Sequence, residues 1–199
     1  MAVNVRVGMP LADFIAETNE QAFELINGER RAKMPSVAVH NEVLHRLFLL
    51  LNAFIQARNL GFLRMEATFV LPDRYDEEWV TGSRTPDLLF VTQERIEAYW
   101  TAYPDWREKP YLFVPDFVVE IVSPNDKFSA IDEKVDAYLV DGVRLVWVID
   151  PQRRKAKQPR QPQQRREPQR PQPGEQRRQA GDADQHPSAP HADPVVFPG

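Results

Sequence analysis

Two acidic residues occupy positions in the sequence where a charge is unusual. Glu120 lies inside the apolar run of residues 117–122, and Asp87 begins another apolar run, residues 86–91, directly after a proline. Burying an unpaired carboxylate in a central strand is costly, so each acid needs a partner. If the two strands are neighbours, both carboxylates can bind one Mg²⁺, which takes oxygen ligands and typically uses one or two protein carboxylates.

A structural interpretation of the two acids competes with the metal site. Either acid taken alone could instead form a salt bridge with an arginine such as Arg84 or Arg144,. The occurrence of two such acids, on two predicted strands, favours the metal site.

Lys134 adds a third chemical group. The spacing predicts a helix over residues 128–140 with an apolar stripe that includes Ile131 and Tyr138, and Lys134 comes three residues after the first and four before the second,. It therefore lies on or beside the side of the helix that faces the sheet. The competing interpretation is an ordinary amphipathic helix, in which the lysine stem covers apolar surface and the ammonium reaches solvent.

The elements that must position these residues follow from hydrophobic periodicity and turn signals. The predicted elements are a helix after Pro10, a hairpin over residues 23–33 around Asn27-Gly28, a helix over 37–58, a strand over 62–71, a polar loop over 72–84, a strand over 86–91, a short helix over 93–100, a strand over 116–122, the helix over 128–140 and a strand over 143–149,. This alternation predicts an α/β protein with a mixed sheet flanked by helices.

Composition divides the chain at Pro151. Beyond it the only large apolar residues are Val195, Val196 and Phe197, and ten Lys or Arg stand against five Asp or Glu. The whole chain carries −4, so residues 1–151 carry about −9 and the remainder +5,. We therefore predict a folded acidic domain over 1–151 and a disordered Gln/Pro/Arg-rich tail over 152–199.

Several classes of protein are disfavoured by composition. The chain has no cysteine, which excludes thiolate catalysis, disulfides and Cys-ligated zinc,. No apolar run reaches the roughly 18 residues of a membrane span, and the N-terminus lacks the pattern of a signal peptide. We expect a cytoplasmic protein with no membrane partner.

The motifs, taken in order, resemble those of the Uma-two family of restriction-endonuclease-like proteins. The resemblance rests on Phe23-Glu24-Leu25-Ile26-Asn27-Gly28-Glu29, His40, Pro86-Asp87-Leu88-Leu89-Phe90-Val91, Phe117-Val118-Val119-Glu120-Ile121-Val122-Ser123-Pro124-Asn125-Asp126, Glu133-Lys134, Tyr138, Gly142-Val143 and Trp147-Val148-Ile149-Asp150-Pro151. It spans about residues 10–151 and implies the PD-(D/E)XK nuclease superfamily, with a restriction-endonuclease-like fold. After Pro151 the chain departs from the family pattern, which implies that C-terminal edge elements of the sheet are missing.

The resemblance also implies roles for individual residues. Asp87 and Glu120 would bind Mg²⁺, with Mn²⁺ as a substitute and the backbone carbonyl of Ile121 as a third ligand. The superfamily usually places its lysine two residues after the second acid, where this chain has Val122. In the resembled family the lysine comes from the following helix, which here is Lys134.

Three further residues are weaker candidates. Glu24 and His40 recur in the family pattern and Glu42 lies two residues after His40, although Glu24 on a hairpin could be a surface acid and His40 at a helix start could be a cap,.

The leading hypothesis is a magnesium-dependent endonuclease that hydrolyses phosphodiester bonds of DNA through a metal-activated water. The alternative is a catalytically degenerate domain of the same fold that binds nucleic acid or self-associates, and a homodimer is compatible with either. A third class, an interaction domain with no nucleic-acid role, predicts no metal binding at all.

Overall fold

The fold was analysed in a computed structural model, which describes residues 6–34, 36–76, 78–124 and 126–159. These lie within one compact unit, Met1–Gln161. In the described ranges the helices are α1 (Leu11–Glu20), α2 (Ala38–Ala57), α3 (Gln93–Ala102) and α4 (Phe128–Val140). The strands are β1 (Met9–Pro10), β2 (Phe23–Ile26), β3 (Glu29–Ala32), β4 (Gly61–Met65), β5 (Phe69–Val70), β6 (Tyr75–Asp76), β7 (Trp79–Val80), β8 (Ser83–Arg84), β9 (Leu88–Thr92), β10 (Phe117–Ile121), β11 (Leu145–Asp150) and β12 (Lys155–Lys157).

The largest sheet has five strands in the order β12-β11-β10-β9-β4. Only the β10–β11 pair is parallel, because α4 carries the chain back between these two strands,. The other neighbours in this sheet are antiparallel. The predicted fold class, a mixed α/β sheet flanked by helices, is therefore confirmed.

Both faces of this sheet are covered, which explains why its strands are apolar on both sides. On one face, Leu89 and Val118 join the larger core cluster, which also contains buried residues of α1, α3 and α4. On the opposite face, Leu88 and Val119 belong to a smaller cluster with Leu44 and Ile55 of α2. Because side chains alternate along a strand, Glu120 lies on the same face as Val118 and hence on the α4 side.

The hairpin β2–β3 forms where the sequence predicts it. Asn27 and Gly28 both have positive φ, 52° and 81°, as a two-residue type I′ turn requires,. The hairpin is fixed to the rest of the domain by the Leu25 N–H, which donates to Ser83 Oγ at 2.8 Å. This contact holds the hairpin against β8, which precedes β9 in the chain.

The predicted strand over residues 62–71 is broken in two. β4 ends at Met65, Glu66 takes a positive φ of 47°, and the chain then enters β5, which pairs with β8 rather than with the large sheet. The predicted polar loop over residues 72–84 contains the two-residue strands β6, β7 and β8. Such short strands carry too few residues for a periodic signal, and their pairing is set by distant partners such as β1,.

The sheet also continues beyond the boundary predicted at Pro151. After a turn that includes Arg154 at φ 51°, β12 pairs antiparallel with β11 and becomes an edge strand. One C-terminal edge strand is thus present, although the departure from the family motifs after Pro151 implied that such elements were missing. Its sequence, Lys-Ala-Lys, contains no large apolar residue that would predict a strand. The rest of the predicted tail, residues 160–199, lies outside the described residues. None of the helices in the described ranges is long and apolar enough to cross a membrane.

Candidate active site

A cavity of about 430 Å³ opens where β9 begins and β10 ends. Its walls come from the hairpin, the start of α2, the β9 and β10 ends and α4, which are distant in sequence. The lining residues are Glu24, Arg31, Ala32, Lys33, Met34, Ser36, Val37, His40, Asp87, Glu120, Ile121, Ser123, Asp126 and Lys134. Five of the sequence candidates with proposed side-chain roles, Asp87, Glu120, Lys134, Glu24 and His40, are therefore brought together.

The register of the sheet explains why the two acids meet. Val119 pairs with Leu88 in the antiparallel β9–β10 ladder, so one further step places Glu120 opposite Asp87,. Both side chains are buried, with 4% and 3% of their residue surface exposed. The two carboxylates thus share one face of the sheet and one cavity.

Asp87 is held by a backbone donor and two nitrogenous side chains. Its Oδ2 accepts the N–H of Ile121 at 2.6 Å, while His40 Nε2 and Lys33 Nζ lie 3.3 Å and 3.8 Å from Oδ1. Burial acts to raise the pKa of Asp87, but the His40 contact and the Ile121 N–H outweigh it and leave the pKa below its usual value,. Asp87 is therefore a carboxylate at neutral pH.

Glu120 is bound at both oxygens by α4. Lys134 Nζ donates to Oε2 at 2.7 Å and the Tyr138 hydroxyl donates to Oε1 at 2.6 Å. Lys134 and Tyr138 are four residues apart, so they project from the same side of the helix. The sequence analysis placed Lys134 on or beside this side, and the structure shows its ammonium directed at Glu120 rather than at solvent.

Electrostatics in the cavity favour a protonated lysine. Burial acts to lower the pKa of Lys134, but the negative charges of Glu120 and, at greater distance, Glu24 and Asp87 raise it above its usual value,. Burial raises the pKa of Glu120, and the charge of Lys134 opposes that rise. The ammonium of Lys134 is thus the main counter-charge to Glu120 in this cavity.

The two arginines that the sequence offered as partners for Asp87 and Glu120 pair with other acids. Arg84 pairs with Asp141 at 2.9 Å, and Arg144 lies 3.6 Å from Asp116. Neither arginine is within salt-bridge distance of Asp87 or Glu120. The need for a partner that the sequence implies is met instead by lysine, tyrosine, histidine and backbone donors.

The weaker candidates separate into two groups. Glu24 Oε1 accepts the N–H of Thr85 at 2.7 Å and faces the cavity, and His40 is buried with Nδ1 at 3.3 Å from Ser123 Oγ. His40 does not cap α2, whose N-cap residue is Val37. Glu42 does not belong to the site, because it lies on the exposed side of α2 in an ion pair with Arg46 at 2.6 Å.

Lys33 and Tyr138 are site residues that the sequence analysis missed. Tyr138 falls in the apolar stripe of α4, where nothing in the periodicity distinguishes a phenol from a core phenylalanine. Lys33 follows β3, and only the packing of the hairpin against residues 83–85 brings it to Asp87. The one sequence signal for Tyr138 is its place in the family motifs.

The donor set fits a hard divalent cation. Two buried carboxylates on one cavity, at least one of them ionised, match the oxygen ligands and low protein ligand count of Mg²⁺. Within the ranges that the structure describes, no group of three or more acidic or histidine side chains forms a cage for a metal.

Comparison with known proteins identifies the class of protein that this fold and site define. Residues 10–183 match the family described as "Uma2: Putative restriction endonuclease". The match covers most of the chain, and the chain belongs to the Uma2 family of restriction-endonuclease-like proteins.

A solved structure has the same fold. A crystal structure from Anabaena variabilis ATCC 29413, described as a "putative nuclease belonging to DUF820", matches with a TM-score of 0.58 and 19% identity, covering 78% of this chain and 81% of that one. At this identity the likeness establishes the fold alone. No curated protein matches the chain.

Proposed function

We propose that this protein is a magnesium-dependent endonuclease that hydrolyses phosphodiester bonds of DNA. The observation that carries the proposal is the convergence of Asp87 and Glu120 on one cavity, with Lys134 bound to Glu120 at 2.7 Å. Family membership supports a nuclease, and the acidic pair with an adjacent ammonium supports the metal-dependent kind,.

In this proposal Asp87 and Glu120 would hold Mg²⁺, or Mn²⁺ in its place, together with the backbone carbonyl of Ile121. A cation bound there would supply a water of lowered pKa and would offset charge on the phosphate in the transition state. Asp87 is suited to this role because its pKa is already lowered, so no proton must leave before a cation binds,.

Lys134 acts through its positive charge. Since its pKa is raised, it remains an ammonium and donates hydrogen bonds rather than accepting a proton from water,. We assign it to orienting the attacking water and stabilising negative charge on the phosphate, which is the electrostatic form of catalysis.

In this proposal His40 and Glu24 do not contact the reacting atoms but hold neighbouring residues of the site in place. Ser123 lies 3.3 Å from one ring nitrogen of His40, whose other nitrogen is 3.3 Å from Asp87, so the ring limits the orientations available to that carboxylate. Glu24 accepts the Thr85 N–H and lines the same cavity. We assign His40 to positioning Asp87 and Glu24 to holding the backbone at Thr85.

A second candidate function is an inactive domain of the same fold that binds nucleic acid or self-associates. One observation favours it: both oxygens of Glu120 already have donors, Lys134 and Tyr138, so the residue is satisfied without a metal. A cation must compete with these contacts, and in a degenerate member it would fail to do so.

The deciding experiment combines cleavage with metal binding. Purified protein is incubated with supercoiled plasmid and Mg²⁺ or Mn²⁺, and the Mg²⁺-dependent rise in Tm is measured in parallel, because a cation bound only by the native state stabilises it. We expect nicking and a Tm rise in the unmodified chain and neither in Asp87→Ala, with Asp73→Ala, an exposed acid outside the cavity, as the matched control. A Tm rise without nicking would support the inactive alternative, and the absence of both would remove the metal site.

A further inference from the structure

The two lysines of the cavity differ in how their donors are used. Lys134 makes a short charge-assisted hydrogen bond to Glu120 at 2.7 Å,. Lys33 Nζ lies 3.8 Å from Asp87 and 3.7 Å from Glu66, both too far for a hydrogen bond, and donates to the Thr85 carbonyl at 3.2 Å,. An ammonium has three donors, and among the described residues only this last one receives a hydrogen bond from Lys33,.

The backbone keeps Lys33 at the cavity although its ammonium is loosely engaged. The Lys33 N–H donates to the Ala22 carbonyl at 2.9 Å, which continues the hairpin ladder past Ala32. The side chain is 19% exposed, so it reaches the cavity without being sealed inside the core. It can therefore meet a ligand entering from solvent with donors still available.

The charges around Lys33 also favour an anion once a cation has bound. Asp87 and Glu66 are the acids nearest to its ammonium. A divalent cation held by Asp87 and Glu120 would offset the negative charge that now faces Lys33, and a phosphate is the anionic group that a nuclease brings to this point.

We propose that Lys33 is a substrate-binding residue that contacts a phosphate of the DNA backbone beside the cleaved bond. The inference rests on the proposed function, since it takes DNA as the ligand of this cavity. It assigns the hairpin a direct part in substrate binding, whereas Lys134 remains the lysine that serves Glu120.

The test measures binding separately from cleavage. Binding of a short fluorescent DNA duplex is followed across a salt series with Ca²⁺ in place of Mg²⁺, for the unmodified chain, Lys33→Met, Lys33→Arg and Arg30→Met. Arg30 is the matched control, because it lies on the other face of the same hairpin in an ion pair with Glu17,. All variants are compared by Tm, so a loss of folded protein is recognised directly.

Loss of one phosphate contact has a defined signature. We expect Lys33→Met to reduce the slope of log K against log salt by about 0.9, so that its disadvantage shrinks about threefold between roughly 50 and 200 mM salt, while Lys33→Arg and Arg30→Met keep the original slope. A slope for Lys33→Met equal to that of Arg30→Met would overturn the proposal even if the protein cleaves DNA. A reduced slope in a protein that never cleaves would support the contact and count against the endonuclease.

Discussion

Two buried carboxylates lie near the two ends of strand β10, and their surroundings differ. Asp116 directly precedes the strand, lies 2.6 Å from Arg95 and 3.6 Å from Arg144, and accepts the N–H of Thr92 at 3.0 Å. Glu120, near the other end, is bound by Lys134 and Tyr138 and faces a cavity that also holds a second acid. Of the acids at the two ends of β10, Asp116 is thus paired within the fold and Glu120 faces a cavity, and the neighbouring groups make the difference.

The largest expected effect is the loss of cleavage on neutralising Glu120, compared with the unchanged cleavage expected on neutralising Asp116. Glu120→Gln should reduce Mg²⁺-dependent nicking by about two orders of magnitude or more, because it removes a proposed metal ligand and the partner of Lys134. Asp116→Asn should instead lower the free energy of unfolding by about 2 kcal/mol and leave the nicking rate of folded protein unchanged. Plasmid nicking and urea unfolding of both variants provide the comparison, and equal loss of cleavage in both would show that the two ends of β10 do not have separate roles.

The next prediction concerns the Lys134 ammonium, which binds Glu120 in the cavity. Lys134→Ala should reduce cleavage by about two orders of magnitude, as is typical for loss of a positioned electrostatic group. Lys127→Ala is the control, because Lys127 is exposed at the start of α4. Cleavage kinetics under single-turnover conditions measure the step directly, and retained activity in Lys134→Ala together with lost activity in Lys127→Ala would transfer the lysine role to Lys127.

The third prediction compares the hydrogen bond from Tyr138 to Glu120 with a hydrogen bond between neutral groups elsewhere in the fold. Tyr138→Phe removes one short hydrogen bond to a buried charged group, so we expect the free energy of unfolding to fall by about 2 kcal/mol,. Tyr99→Phe is the matched control, because its hydroxyl accepts the Leu112 N–H at 3.3 Å in a neutral contact and should cost about 1 kcal/mol,. Chemical denaturation ranks the two variants, and a smaller loss for Tyr138→Phe than for Tyr99→Phe would argue against a strong bond to Glu120.

The smallest effect is expected at the outer partner of Asp116. Arg144→Ala should change the free energy of unfolding by less than about 0.5 kcal/mol, since 75% of its side chain is exposed and it lies 3.6 Å from the Asp116 carboxylate,. Arg95→Ala should cost more, because Arg95 is nearer to Asp116 and less exposed. Urea titrations of the two variants suffice, and the reverse order would mean that the buried acid relies on the more distant arginine.

Sequence alone was sufficient for the central part of this fold. The apolar runs around Asp87 and Glu120, the Asn27-Gly28 turn and the spacing of Lys134 in α4 predicted two strands, a hairpin and a lysine on or beside the sheet side of its helix, and the structure has all of them. These features follow from local periodicity and turn chemistry. For that reason they were visible without knowledge of the tertiary structure.

The remaining features depend on contacts between distant residues. Lys33 reaches Asp87 because Ser83 and Thr85 bind the hairpin, and these bonds join residues about sixty positions apart. β12 forms because a basic tripeptide completes the edge of the sheet, and composition gives no sign of it. Whether the residues in the cavity bind a metal is a question of chemistry that neither pattern nor fold decides, and it stays a prediction.

The order of the strands in the chain indicates that Glu120 also affects aggregation during folding. β10 lies between β9 and β11, but β11 comes after α4 in the chain, so one edge of β10 is unpaired until that segment folds back. Four of its five residues are apolar, and such an open edge invites pairing with another unfinished chain,. A carboxylate within that edge opposes intermolecular stacking, as charged interruptions of apolar strands do generally. We therefore expect Glu120→Val to give a lower yield of soluble protein on refolding at high concentration than Asp116→Val. The Glu120 carboxylate that faces the cavity would also disfavour intermolecular pairing of β10 while the edge of that strand is still exposed,.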